Sequence, residues 1–300
     1  MSLVFSVPGK TFIAGEYLAL AEGPTLFFLS QPCFETEISR GKGDVLGIHP
    51  ESPAGVFMSK HRGYFRNFDI TFRDAYSGKG GFGASTAQFL SVYAMWLYKE
   101  AHQMDMEKYL DFKHMLEVYY HVAWNGQGQR PSGADLVAQL KGSMTFFEKR
   151  SGMISVTNWP FEDLELLLVH TGNKLATHEH LRTLPVFPTA GLESAMLTIR
   201  EAFDKIDSAR FVEGVKAYAQ ELLKLNFTCE PTLKLLSDIR QIPGVKAAKG
   251  CGALGVDVMA IVTAKGETAG VKAYCESKGG LSVLSSSDKI SSGLQVRGSL

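Results

Sequence analysis

Residues 77–87 read Ser77-Gly78-Lys79-Gly80-Gly81-Phe82-Gly83-Ala84-Ser85-Thr86-Ala87, glycines followed by two hydroxyl residues and then an apolar period of helical spacing. Gly80, Gly81 and Gly83 carry no Cβ, so their backbone can approach an anion closely. Ser85 and Thr86 then open a helix whose first N–H groups lack intrahelical acceptors and whose dipole favours negative charge at the same place. Taken alone, the stretch suits either a cradle for the terminal phosphates of a nucleotide or an ordinary helix capped by Ser and Thr. The hydroxyls of Ser85 and Thr86 are candidate contacts to phosphate oxygens or to a Mg²⁺ ion, which takes few protein oxygens besides substrate phosphate.

Downstream of this loop, Ala87, Leu90, Ala94, Leu97 and Tyr98 predict a helix over Ala84–His102. Upstream, short runs rich in Phe, Val, Ile and Thr predict strands at Leu3–Val7, Thr11–Leu20 broken at Gly15, Thr25–Leu29, Phe34–Ser39 and Phe68–Phe72. The aromatic run Phe57–Phe72 reads as strand and core. A helical stretch over Glu107–Trp124 leads into a turn-rich segment, Asn125–Gly133, and a short helix at Ala134–Leu140.

From Leu164 the pattern restarts. A strand at Leu164–His170 precedes helices at Ala190–Lys205, Ala209–Leu225 and Pro231–Arg240, then Val245–Lys249, a glycine loop, a strand at Val256–Val262, a helix near Glu267–Lys278 and a strand near Leu281–Leu284. Strands mix with helices without strict βαβ alternation, which predicts an α+β fold in two domains, residues 1–162 and 163–300.

With 300 residues, 45% of them hydrophobic and 21% charged, the chain can bury a sizeable core, which excludes disorder. The 31 basic and 31 acidic residues balance, so no global field draws the chain to nucleic acid or to an anionic membrane. The expected partner is a small-molecule substrate, with no nucleic acid and no membrane. Cys33, Cys229, Cys251 and Cys275 lie far apart without a CxxC pair, against a zinc site or a disulfide framework. Met1–Val7 lacks the pattern of a secretory leader, and the expected location is cytoplasmic.

Two stretches match G-x-G-x-x-G, at Gly78, Gly80, Gly83 and at Gly250, Gly252, Gly255. Neither suits a dinucleotide fingerprint: the second runs into a strand, and the acid nearest the required spacing after the first, Glu100, falls inside a helix. A Walker A reading of Gly9-Lys10-Thr11 needs a glycine where Val4 stands. His61, His121, His170 and His178 share no metal-ligand spacing.

Three segments taken together resemble the motifs of the GHMP kinases, the galactokinase, homoserine kinase, mevalonate kinase and phosphomevalonate kinase superfamily. They are Pro8-Gly9-Lys10-Thr11-Phe12-Ile13-Ala14-Gly15-Glu16-Tyr17, Gly81-Phe82-Gly83-Ala84-Ser85-Thr86-Ala87, and Gly252-Ala253-Leu254-Gly255-Val256-Asp257. Pro131-Ser132-Gly133-Ala134-Asp135 is similar to the superfamily's S-G-x-D element, and Thr171-Gly172-Asn173-Lys174-Leu175-Ala176-Thr177 resembles a stretch that opens the C-terminal domain in the phosphomevalonate branch. The third motif departs from the family pattern, with Leu254 and Val256 where glycine is usual.

The resemblance implies an N-terminal ribosomal-protein-S5-like domain and a C-terminal ferredoxin-like domain. It also implies an ATP-dependent phosphotransferase with Mg²⁺, acting on mevalonate or phosphomevalonate in isoprenoid precursor synthesis, as a monomer or homodimer. It assigns Asp135 and Lys10 to catalysis, and Lys79, Gly80, Gly81, Phe82, Gly83, Ala84, Ser85 and Thr86 to the nucleotide. Lys10, Glu16, Tyr17, Ser132, Gly133, Gly252 and Ala253 fall to the acceptor, and Ser85 and Glu117 to the metal. Glu117 lies 18 positions before Asp135, further than the family's glutamate, with Trp124 nearer the expected place. Other acceptors such as homoserine or a sugar, a decarboxylation begun by phosphorylation, and a non-catalytic ATP-binding sensor are the alternatives. Glu16 also reads as a structural acid pairing with a cation, and Arg130 as either a phosphate fork or a solvated loop residue.

Overall fold

The computed structural model describes residues 1–101, 111–173, 180, 181 and 183–300. Its first half is built on two long antiparallel strands, β1 (Ser2–Ala14) and β2 (Pro24–Arg40), paired along most of their length with Lys10 opposite Leu29. Each merges two of the expected short strands, because Pro8 and Gly9 are absorbed by a register shift rather than ending β1. The residues after Gly15 leave the sheet and form a short 3-10 turn, Leu18–Ala21, where a strand was expected to continue to Leu20.

The second edge of β2 is shared. β4 (Phe68–Arg73) pairs with its C-terminal half and β5 (Met144–Glu148) with its N-terminal half, while β6 (Met153–Thr157) extends β5 and the two-residue β3 (Val45–Leu46) runs parallel to β4. The Phe57–Phe72 run is only partly strand. Ser52 accepts the Gly55 N–H and Pro53 stands in the first turn, so residues 53–60 form helix α1 (Pro53–Lys60), followed by one turn, α2 (Arg62–Phe65). Phe57 and Phe65 still bury their rings, so the expected core role holds while the element type differs.

Helix α3 (Ala84–Ala101) buries Ala87, Leu90 and Ala94, and it packs with the short helix α5 (Ala134–Lys141) against β1. Between them lies α4 (Phe112–Ala123), capped by Asp111. Residues 107–110 of the helix expected over Glu107–Trp124, His102 of the helix before it, Lys174–Thr177 of the fifth motif, and His178 lie outside the described residues.

β7 (Leu164–His170), β8 (Val245–Cys251), β9 (Val258–Ala264) and β10 (Ser282–Ser286) form a second, wholly antiparallel sheet in the order β10-β7-β9-β8. Helices α6 (Ala190–Lys205), α7 (Ser208–Lys224) and α8 (Glu230–Ile239) connect β7 to β8, and α9 (Ala269–Lys278) connects β9 to β10. Period-two alternation divides β7 between two cores: Leu166 and Leu168 face the core shared with the first sheet, Leu167 and Val169 the smaller one under α8 and α9. The last strand, β11 (Gln295–Gly298), returns to pair with the start of β1. Among the described residues no helix is long and apolar enough to cross a membrane.

Candidate active site

Lys10, in the middle of β1, is the point where two separate segments meet. Its Nζ lies 2.7 Å from Oδ2 of Asp135, with the two side chains 11% and 24% exposed. Its backbone N–H donates to the Phe82 carbonyl at 2.9 Å, and its stem runs under Gly83, where an added Cβ would stand 2.9 Å from Lys10 Cγ. The glycine loop and the Asp135 turn are therefore brought to one residue.

Asp135 owes its position to Gly133. That residue adopts φ +72°, and a Cβ there would meet Leu116 Cδ2 at 2.3 Å, so any side chain would be strained and would have to displace Leu116. The turn is pinned from α4, where the Tyr120 hydroxyl donates to the Ser132 carbonyl at 2.8 Å, and Ser132 Oγ accepts the Ala134 N–H. Asp135 then stands in the first turn of α5, where the dipole favours a carboxylate.

One turn further along α5 lies Gln139, a residue that the motifs do not mark. Fully buried, it donates from Nε2 to the carbonyls of Pro8 and Gly83 and lies 2.7 Å, through Oε1, from the Thr86 hydroxyl. One amide thus ties β1, the loop and the start of α3 together. Its i+4 relation to Asp135 was the available signal, since both occupy one helix face.

Several loop residues have their side chains engaged by the protein itself. The Phe82 ring stacks on Tyr76 with centroids 4.1 Å apart and is buried, so this residue offers only its backbone. Thr86 is buried with its hydroxyl between Gln139 and the Gly83 carbonyl. Gly80 and Gly81 also have a packing reason for their smallness: a Cβ at Gly80 would stand 2.9 Å from the Asp257 carboxylate, and one at Gly81 2.7 Å from Val258. The loop therefore leans on the third motif. Lys79 anchors it further, donating to Ser282 Oγ on β10 at 3.1 Å. Ser85 alone of the two hydroxyls is exposed at the helix start, beside Ala84 and the free N–H groups of the first turn.

Glu16 and Tyr17 are buried and engaged by other side chains and backbone of the protein. Glu16 is 2% exposed at its side chain and pairs at 2.6 Å with Lys249 of β8, whose own side chain is 0% exposed. Burial holds the Glu16 carboxyl above the usual range against the pull of Lys249. Tyr17 stacks on Phe227, accepts the Leu254 N–H and meets His180 Nε2 at 3.0 Å, and burial pushes its phenol up. Glu16 ties the first motif to β8 and Tyr17 ties it to the third motif, and the structural reading of Glu16 is the one the geometry supports.

Gly252 stands at φ +76° with open space where a Cβ would project, and Ala253 beside it is half-buried. Gly250 and Gly255 press against each other, a Cβ on the former reaching 2.7 Å from the Cα of the latter, which explains the second glycine pattern as loop packing. Glu117 is exposed on α4, and among the described residues no group of three or more His, Cys, Asp or Glu side chains could hold a metal ion. A cavity of about 610 Å³ lined by Thr171, Lys234, Asp238 and Lys278 shares no residue with the Lys10 cluster.

No family model matches the chain, and no curated protein matches it in sequence. Solved structures do. A mevalonate kinase from Methanococcus jannaschii superposes with a TM-score of 0.72 at 13% identity, over 96% of this chain and 98% of that one. The phosphomevalonate kinase of Streptococcus pneumoniae, in complex with phosphomevalonate and AMPPNP, gives 0.72 at 17% identity over 95% and 99%. Lactococcus lactis galactokinase complexed with galactose gives 0.70 at 14% identity over 98% and 95%. Over essentially its whole length, this chain therefore has the mixed α+β fold of the GHMP kinases.

Proposed function

We propose that the protein is an ATP-dependent small-molecule kinase that transfers the γ-phosphoryl group to mevalonate or phosphomevalonate. The observation that carries the reading is the Lys10–Asp135 pair, held at 2.7 Å directly beneath a glycine loop that opens a long helix. An 18-residue helix with an exposed serine in its first turn suits a polyphosphate on elementary grounds. The three structural neighbours named above are kinases of small metabolites, one of them solved with an ATP analogue, and they span several acceptors. The two-domain division at residues 162 and 163, with S5-like and ferredoxin-like halves, belongs to the same proposal; the β10-β7-β9-β8 order supports its second half.

The backbone of residues 83–86 and the Ser85 hydroxyl would hold the nucleotide phosphates, with Ser85 the protein oxygen best placed for Mg²⁺. Mg²⁺ and ATP, when bound, supply the phosphoryl group and neutralise the charge that develops on it. Asp135 takes the proton of an acceptor hydroxyl at its free carboxylate oxygen, or positions an acceptor phosphate that is already anionic. Lys10 holds Asp135 in place through Nζ and stands ready for the transferring group. The side chains of Thr86 and Gln139 and the carbonyl of Phe82 fix the loop relative to Lys10.

A coupled ADP-release assay over mevalonate, 5-phosphomevalonate, homoserine, galactose and amino alcohols tests the reading. Turnover with mevalonate or its phosphate is expected, and ATP binding without turnover on any acceptor would replace the kinase with a sensor.

A further inference from the structure

Away from the Lys10 cluster, a cavity of about 360 Å³ lies between α7, α8 and β8, the outer strand of the second sheet. Its walls are largely apolar. Leu222 and Leu223 come from α7, Leu233 and Leu236 from α8 and Val245 from β8, and Leu223 is left 48% exposed. The charged groups around these walls are all of one sign. Lys216, Arg240, Lys246 and Lys249 line the cavity, and no aspartate or glutamate does. Lys249 is paired with Glu16, whereas Lys216, Arg240 and Lys246 have no carboxylate partner among the described residues. Arg240 donates to the Ala248 carbonyl at 2.8 Å, which fixes its guanidinium against β8, and burial pulls its pKa below the ordinary value. In a chain whose 31 basic and 31 acidic residues balance, this one-sidedness is local.

Apolar walls strengthen the field of such cations, and a cleft lined by one sign of charge concentrates ions of the other. Like charges gathered without a counter-ion raise one another's energy, a cost that a bound anion removes. An inorganic anion would leave the leucines uncovered, and a plain hydrocarbon would leave the cations unpaired. The volume falls at the lower end of the range of small-molecule sites, about 300–1,000 Å³. Because the Arg240 bond occupies the Ala248 carbonyl, the edge of β8 is blocked at that point against an added peptide strand. The larger cavity lacks this character: there Lys278 pairs with Asp238 and Lys234 with Glu230, so its cations are already matched.

We infer that this cavity is a second binding site, for a small amphipathic anion: a phosphate monoester on a short hydrocarbon chain, its head among Lys216, Arg240 and Lys246 and its chain against the leucines. A phosphate dianion matches three unpaired cations better than the single charge of a carboxylate does. The site stands apart from the kinase reading and does not depend on it. It adjoins the third motif all the same, since Lys249 and Gly250, which line it, pair with Glu16 and press against Gly255.

Calorimetric titration of the full chain with hexyl phosphate tests this, with ethyl phosphate, inorganic phosphate, hexanol and hexylammonium as comparisons. Hexyl phosphate is expected to bind, each methylene between ethyl and hexyl adding about fourfold in affinity, while inorganic phosphate, hexanol and hexylammonium bind far more weakly. Replacing both exposed lysines, Lys216→Gln with Lys246→Gln, should weaken hexyl phosphate at least about tenfold. Leu223→Glu, which sets a negative charge at a half-exposed position of the wall, should weaken it as well. Binding should persist in saturating ATP, because the cavity shares no residue with the Lys10 cluster. Affinity that ignores chain length, equal binding of hexylammonium, or unchanged binding in the lysine and Leu223 variants would overturn the inference. So would displacement by ATP, which would put the ligand at the glycine loop, or binding to phosphatidic acid vesicles in preference to free hexyl phosphate, which would make this face a membrane contact.

Discussion

Glu16 and Lys249 form a 2.6 Å ion pair that joins the end of β1 to β8, shut away from solvent at the junction of the two sheets. Lys249 also reaches Cys251 Sγ at 3.8 Å and lies over the Tyr218 ring, so the pair is the centre of a small polar island inside the common core. Removing either partner leaves a buried charge without its counterpart. Glu16→Gln or Lys249→Met is expected to cost about 3–5 kcal/mol of stability, read by urea denaturation. The double variant should cost less than the sum of the two, because neither charge is then orphaned.

Gln139→Leu removes the amide that satisfies the Pro8 and Gly83 carbonyls and the Thr86 hydroxyl. The expected destabilisation is about 1–3 kcal/mol from buried groups left unpaired. Because the same amide sets the loop against Lys10, the KM for ATP should rise as well. Unchanged nucleotide affinity would show that the loop holds its place without it.

At Gly83, φ is +84° and the Lys10 stem occupies the space a side chain would need. Gly83→Ala is expected to cost about 1–3 kcal/mol in backbone strain alone and to displace Lys10 from Asp135. Thermal denaturation measures the first effect. Loss of kcat beyond that of a similarly destabilised core variant measures the second.

His170 closes β7 beside the glycine loop, accepting the Gly172 N–H at Nδ1. Burial holds its imidazole below the ordinary 6.5, with Asp257 pulling the other way and Lys79 reinforcing the burial. The unfolded chain therefore takes up the proton first on acidification. Stability from the neutral ring is present above about pH 6.5 and drains as the pH falls below that value. His170→Gln should flatten the dependence of the urea midpoint on pH between about 7 and 5, while His61 and His180, also held low by burial, keep part of the slope.

The sequence disclosed what lies in short contiguous motifs. Gly133, Asp135 and Gly83 each have a local reason, a positive φ or a helix start, and the structure brings them to Lys10 in mid-strand. The α+β class and the second block of helices were equally legible, since amphipathic periods such as that of α7 announce themselves. Residues that act across the fold were not. Lys249 reads as one more lysine in a strand, and only the pairing of β8 near β1 reveals its partner Glu16. That the Phe82 and Thr86 side chains are buried was equally hidden, because motif position carries no information about burial. The strands β5, β6 and β11 escaped notice because each is short and draws its stability from pairing rather than from its own pattern. Helix α1 escaped for a different reason: its aromatic residues suggested a strand, although Ser52-Pro53 was a helix start in plain sight.

The central claim is that phosphoryl transfer occurs where Lys10 meets Asp135 under the glycine loop, and transfer of label from γ-labelled ATP into the isolated acceptor measures it most directly. Wild-type protein should label mevalonate or 5-phosphomevalonate. Asp135→Ala should lower that rate at least about 10²-fold when the acceptor is a hydroxyl, with the KM for ATP little changed. Labelling that proceeds at the wild-type rate on a hydroxyl acceptor in Asp135→Ala, or no labelling of any acceptor by a wild-type protein that binds ATP, would contradict the account.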